Sequence, residues 1–230
     1  MNSMKVFKFG GASVNSIERI HNVASILKQY SDENILIIIS AMGKTTNALE
    51  KVAQHFFDGN KEECLKQFHA IKEEHLNTAK GLISDSYDDC YYHLNDYFTE
   101  IEWLLHDNAV RPFDYYYDQI VCLGELLSTT IISYYLNEVG IKNKLLDVRD
   151  YLKTDNNFRD ANIDFAKTSE LVSKIVFDEK LIITQGFIGC TDDNESTTLG
   201  REGSDYTAAI FANLLNAESQ TIWKDVEGVM

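Results

Sequence analysis

Lys8-Phe9-Gly10-Gly11-Ala12-Ser13 places a cation and two glycines at the end of a strand-forming run. Glycines there let the backbone approach a ligand closely, and the free N–H groups of a following helix attract an anion. Lys8 would add a point charge to that site. A surface lysine beside a tight turn is the plainer alternative, but it fits poorly with Val6, Phe7 and Phe9 as neighbours. No third glycine follows, so the segment is not the G-x-G-x-x-G pattern of dinucleotide binders.

A second segment, Ser40-Ala41-Met42-Gly43-Lys44-Thr45-Thr46-Asn47, imitates the end of a phosphate-binding P-loop. The glycine which that pattern requires upstream is here Ile38, so the match fails. What remains is a hydroxyl-rich loop, suited to capping a helix and lying where α/β proteins bind ligands. In a third segment, Cys122 to Ser128, Glu125 interrupts a nearly apolar helix pattern. A buried carboxylate needs a cation or N–H donors, so the expectation is a Glu125 that faces a ligand rather than solvent. The fourth runs from Thr197 to Thr207, where Gly200 and Gly203 bracket Arg201, with Ser204 and Asp205 opening a helix. Arg201 can clamp a carboxylate or phosphate bidentately, and Asp205 can hold a cation or an amino group. A surface Arg–Asp pair beside a capped helix is the weaker reading.

The remaining reactive residues form no pattern. Cys64, Cys90, Cys122 and Cys190 lack C-x-x-C spacing, and buried reduced thiols are expected. The six histidines are scattered without H-x-x-x-H spacing, so no resident metal site is expected, and they read as surface or helix residues.

The elements that must position these segments follow from hydrophobic periodicity. Short apolar runs recur at Val6–Phe9, Ile35–Ile39, Lys144–Val148, Leu181–Thr184 and Thr221–Trp223. Runs with little polar alternation are buried on both faces, which predicts a parallel sheet covered by helices. Ile17, Ile20, Val23, Ala24 and Leu27 form one helical stripe. Ile120, Val121, Leu127, Ile131 and Tyr135 form another, closed by Gly140. A third helix is expected over Ala208–Leu215 with Ser204 as its N-cap. Strands alternating with helices give the α/β class. Residues 58–118 break the alternation with helical spacing and many aromatics, among them Tyr87, Tyr91, Tyr92, Tyr97, Phe98 and Trp103. They read as a helical excursion between the second and third strands whose aromatics serve packing.

Composition bounds the function. The chain has 230 residues, 44% apolar and 25% charged, enough for one large domain or two small ones. Its formal charge is −15, which disfavours nucleic acid and acidic membranes as general partners. The excursion carries 14 acidic residues against five basic ones. No run reaches the ~18 consecutive apolar residues of a membrane helix, and the start of the chain lacks a secretion signal. A cytoplasmic location is therefore expected. Pro112 is the single proline, where average usage of about 5% gives roughly 11, so no Pro-rich linker divides the chain.

Taken together, the four segments resemble aspartate kinases of the amino-acid kinase family. Lys-Phe-Gly-Gly-Thr-Ser-Val matches Lys8–Val14, with Ala12 in place of Thr. The Ser-Ala-…-Thr-Asn loop matches Ser40–Asn47, and Gly-Glu-…-Ser matches Gly124, Glu125 and Ser128. Thr-Gln-Gly-Phe-Ile-Gly matches Thr184–Gly189. Thr-Thr-Leu-Gly-Arg-Gly-Gly-Ser-Asp-Tyr-Thr-Ala-Ala matches Thr197–Ala209, with Glu202 in place of Gly. The resemblance is collinear from Lys5 onward and weakest across 58–118. It implies a three-layer α/β sandwich and phosphorylation of the L-aspartate β-carboxylate by MgATP, in a parent that is a homo-oligomer. It further implies that Lys8 and Asp205 are catalytic, and that Ser40, Thr46, Glu125, Arg201 and Asp205 bind substrate. Lys8, Gly10, Gly11, Ser13, Lys224 and Asp225 would lie on the nucleotide. The family continues from a Thr-Asp-Val-x-Gly-Val/Ile-Tyr stretch, here Lys224 to Met230, into an Asp-Pro-Arg segment. The expectation is thus a domain over 1–230 that lacks part of the nucleotide pocket and has little or no kinase activity. The alternatives are a different amino-acid kinase and a non-catalytic amino-acid-binding module.

Overall fold

The computed structural model describes residues 4–224. Five strands, β1 (Met4–Phe9), β2 (Asn34–Ile39), β3 (Asn143–Leu145), β4 (Leu181–Gln185) and β7 (Ser219–Trp223), form a parallel sheet in the order β3-β4-β2-β1-β7. These are the five apolar runs of the sequence. The third is shorter than Lys144–Val148, because Val148 turns into a short 3₁₀ segment, Val148–Asp150. A small antiparallel pair, β5 (Ile188–Cys190) with β6 (Ser196–Thr198), is an addition to the sequence reading. At three residues each, these strands are too short to carry a period-2 signal.

Strand alternation divides the core into two layers. Phe7, Phe9, Ile35, Ile37, Ile39 and Ile183 pack against α1 (Ile17–Lys28), α2 (Thr45–Phe57), α3 (Lys61–Leu82), α4 (Tyr87–His106), α5 (Phe113–Val121) and α6 (Leu123–Glu138). Val6, Leu36, Ile38 and Ile182 face the other way, onto α7 (Phe165–Val172), α8 (Gly203–Leu214) and the β5–β6 pair. Helices therefore cover both faces of the sheet at its centre, where β2 and β4 are almost entirely buried. The edge strand β7, SQTIW, is partly exposed along its length, so its run is not buried on both faces as its composition suggested.

Local sequence explains the element ends that matter. Gly140, at φ +84, lies just past α6 and donates its N–H to the Asn137 carbonyl, a glycine-terminated helix end. The stretch Phe113–Glu138 is long and apolar enough to cross a membrane, yet most of it is buried inside the protein, as a central core helix requires. Ser204 is not the N-cap of α8. The helix begins one residue earlier at Gly203, behind Glu202 in the left-handed conformation at φ +59. Excursion residues 61–82 and 87–106 are helical, but Tyr92 and Trp103 are 67% and 73% exposed, so these two do not serve internal packing. His75, a helix residue of α3, is buried, with Nδ1 at 2.8 Å from the Ile71 carbonyl and Nε2 at 3.5 Å from the Thr45 hydroxyl. Burial lowers its pKa, which favours the neutral ring. All four cysteines are buried and free.

Candidate active site

In a parallel sheet every strand ends at the same edge, so the loops after β1, β2 and β4 converge. They are tied together by backbone bonds: Ser40 N–H to the Phe9 carbonyl, Gly43 N–H to that of Gly11 and Gly186 N–H to that of Ile39, at 3.2, 3.0 and 3.1 Å. Gly11 permits this closeness. A Cβ there would lie 2.6 Å from the Ala41 carbonyl oxygen.

Lys8 shares the parity of Val6, so its side chain leaves β1 on the α8 face. It is 8% exposed, and its Nζ lies 2.6 Å from Asp205 Oδ1 in the first turn of α8. Gly10 keeps the space beside that ammonium open, since a Cβ would sit 3.4 Å from Nζ. Glu125 reaches the same place from the opposite layer. Gly124 lets α6 press onto the Ser40–Thr46 loop, because a Cβ on Gly124 would meet Ala41 Cβ at 2.8 Å. Glu125 Oε1 then accepts the Ala41 N–H at 3.1 Å, while buried Oε2 has no hydrogen-bond partner among the described residues. Loss of hydration raises its pKa to about 8. Ser128 donates to the Ser40 carbonyl at 2.9 Å and fixes the loop to the helix.

The resulting pocket, about 230 Å³, is lined by Lys8, Ser40, Thr46, Glu125, Glu202, Ser204 and Asp205 among others. It thus gathers five of the site residues expected from sequence: Lys8, Ser40, Thr46, Glu125 and Asp205. Arg201 is not on its wall. It is exposed and lines an adjoining cleft of about 400 Å³, which shares Thr46, Phe187 and Gly200 with the first. Tyr117, Glu50, Asp114, Arg159 and Thr198 also line that cleft. Thr198 belongs to the fourth motif, but no sequence signal marked the other four, which are scattered from Glu50 to Arg159 and joined only by folding. Ser13 and Lys224 lie apart, in a narrow cleft of about 40 Å³ with Phe9, Arg19 and Trp223, where the Ser13 hydroxyl is 3.4 Å from the Trp223 carbonyl. Asp225 lies outside the described residues.

The arrangement has one cation facing carboxylates in a small polar pocket, at the N-terminus of a helix and the carboxyl edge of a parallel sheet. It defines an α/β protein equipped to bind a small ligand carrying both anionic and cationic groups. The chain belongs to the amino acid kinase family, whose model matches residues 3–230. It is 33% identical to the lysine-sensitive aspartokinase 3 of Escherichia coli over 240 residues, covering 100% of this chain and 50% of that protein. It is 35% identical to the chloroplastic aspartokinase 1 of Arabidopsis thaliana over 243 residues, covering 98% of this chain and 40% of that one. Crystal structures of E. coli aspartokinase III, one with lysine and aspartate and one with aspartate and ADP, superpose with a TM-score of 0.87 at 32% identity. Each alignment covers 98% of this chain and 50% of the other. The chain therefore spans about half the length, or less, of these relatives.

Proposed function

We propose that the chain carries the acceptor-binding and phosphate-binding part of an aspartate kinase, which transfers the γ-phosphoryl group of ATP to the β-carboxylate of L-aspartate. The observation that supports it most directly is the Lys8–Asp205 pair, 2.6 Å apart and beside the half-partnered Glu125. The resemblance to E. coli aspartokinase III, which binds aspartate and ADP, supports the choice of ligands.

A β-carboxylate is already ionised at neutral pH, so it attacks the γ-phosphorus without a general base. The bond from the γ-phosphorus to the bridging oxygen breaks, and ADP leaves with that oxygen. Catalysis then rests on alignment and charge neutralisation. Lys8 supplies the neutralising charge, which Asp205 holds in place beside Gly10. Arg201, in the adjoining cleft, would take the α-carboxylate, and Glu125 with Asp205 would take the ammonium group. Ser40 and Thr46 would offer hydroxyls, and Gly10 and Gly11 would admit phosphates close to the backbone. Ser13, Lys224 and Asp225 are proposed on the nucleotide. A magnesium ion carried with ATP would add charge neutralisation. The donors fit an ion held chiefly by phosphates and water, since no cluster of three His, Cys, Asp or Glu side chains occurs among the described residues.

The test is phosphoryl transfer to aspartate, trapped with hydroxylamine, in wild type and Lys8→Ala of a protein extended to the length of these relatives; the 230-residue chain alone should bind aspartate with little or no turnover. Lys8→Ala should lower kcat by about a hundredfold or more while leaving aspartate binding nearly unchanged. Glutamate or N-acetylglutamate as the preferred acceptor would point to another amino-acid kinase. Aspartate binding without transfer, unaffected by Lys8→Ala, would point to a binding module.

A further inference from the structure

Arg201 follows closely on Thr198, the end of β6. Leu199 is buried and donates its N–H to the Phe187 carbonyl at 2.9 Å, but beyond it Arg201 and Glu202 are exposed and Gly200 adopts φ +71. A second anchor lies beneath, in α5. Asp118 is fully buried, and its carboxylate accepts three hydrogen bonds. Oδ2 takes the backbone N–H groups of Arg159 and Thr198, both at 2.9 Å, and Oδ1 takes the Thr198 hydroxyl at 2.7 Å. The Thr198 carbonyl in turn accepts the Ala161 N–H at 3.0 Å. The segment so fastened packs against the loop, for a Cβ on Gly200 would lie 2.7 Å from Asp160 Oδ1.

No cationic side chain is hydrogen-bonded to this carboxylate among the described residues. The Arg159 guanidinium is committed to Asp114 at 2.9 Å and to the face of the Tyr117 ring at 4.5 Å. Burial pushes the Asp118 carboxyl up to about 6, while the Thr198 and Arg159 donors act against that rise. A buried charge without an ion pair is costly, and simple helix packing gives no reason for one at this position. The reason lies in the three donors, all belonging to the segments that shape the Arg201 cleft.

We propose that Asp118 is the positioning residue of the substrate-carboxylate loop: through Thr198 it sets where Arg201 stands relative to the Lys8–Asp205 pocket. The kinetic half of this inference rests on the kinase reading, whereas its structural half does not. Asparagine at 118 would keep the arrangement. Its carbonyl can accept both backbone N–H groups, and its amide can donate to the Thr198 hydroxyl, which turns to accept. Alanine keeps none of the three bonds.

Asp118→Ala, Asp118→Asn and Thr198→Val would be compared by steady-state kinetics and by hydrogen exchange of the amides from Leu199 to Asp205. Asp118→Ala should raise the aspartate KM about tenfold or more, leave the ATP KM within about twofold and speed loop exchange about tenfold. Asp118→Asn should bring both readouts to within about threefold of wild type. Thr198→Val, which removes one donor, should move them the same way by a smaller factor, and it carries the test if Asp118→Ala does not fold. Wild-type KM and exchange in Asp118→Ala, or in Thr198→Val where that serves instead, would overturn the proposal. So would equal increases in the KM of aspartate and of ATP, or an asparagine variant as impaired as alanine. A wild type that neither phosphorylates nor binds aspartate, with loop exchange responding as described, would defeat the kinase reading and leave the positioning role standing; in a wild type that binds aspartate without turnover, the Kd values of aspartate and ATP are read in place of the KM values.

Discussion

Glu125 is the residue whose chemistry depends most on its surroundings. One oxygen accepts a single backbone N–H and the other, buried, accepts nothing, so the pocket favours its protonated form up to about pH 8. An incoming ammonium group reverses that balance, because it pairs only with the carboxylate. Aspartate affinity should therefore rise with pH. At pH 7 about a tenth of Glu125 is ionised in the empty pocket, so the aspartate KM should fall about tenfold between pH 7 and 9. In Glu125→Gln that fall should vanish and the KM should stay high; an unaltered pH profile would remove Glu125 from ammonium recognition. Stability has its own sign. A carboxyl raised in the folded state stabilises at low pH, and the contribution is lost as pH rises through about 8. The same variant should thus flatten the fall in Tm between about pH 4.5, the ordinary carboxyl value, and about pH 8. In sequence, Glu125 was legible as an intruder in an apolar helix. That one of its oxygens would lack a partner was not, because the Ala41 N–H comes from a loop 84 positions away.

At the scale of elements, the entry into α8 carries a visible strain. Glu202 holds φ +59 immediately before the helix, a conformation that costs a residue with a Cβ about 1 kcal/mol or more. Glu202→Gly relieves that cost but adds chain entropy to the unfolded state. The net expectation is a gain of up to about 1 kcal/mol, read as a rise of about 2–4 °C in Tm. A lower Tm would mean that the Glu202 side chain contributes contacts worth more than its backbone strain. The same position explains why Ser204 is not the cap. A hydroxyl N-cap is what the motif spells, but Gly203, where a Cβ would meet Phe187 at 2.7 Å, lets the helix start a residue earlier and tightly against the β4–β5 turn. Such shifts depend on what packs against the terminus, which local sequence does not contain.

For the whole molecule, charge is the property with the clearest consequence. The net charge of −15 includes 14 acidic and five basic residues within 58–118, most of them on exposed faces of α3 and α4. Self-repulsion on this scale opposes compaction and is screened within about 10 Å at 0.1 M salt. Raising sodium chloride from about 10 mM to about 200 mM should therefore increase Tm by a few degrees, measured by calorimetry. A decrease would show that attractive pairs, such as Lys72–Glu102 at 2.9 Å between α3 and α4, outweigh the repulsion. The Lys8–Asp205 pocket differs in kind: it is a small cleft whose buried ammonium favours anions within an acidic protein.

Sequence alone determined the class of fold, and with the family resemblance it named five of the residues that line the Lys8–Asp205 pocket. Continuous apolar runs can only be strands buried on both faces, and parallel strands must end together, so motifs that follow them must meet. That logic reaches the segments holding Lys8, Glu125 and Asp205, and the family resemblance adds Ser40 and Thr46. Tertiary structure decided what depends on distance between remote segments. It set Arg201 in an adjoining cleft, separated Ser13 and Lys224 from Lys8, buried His75, and brought Asp118 under Thr198 across 80 positions. Periodicity records which face of an element is buried; it does not record which partner's atoms wait there, and hydrogen bonds are made to atoms.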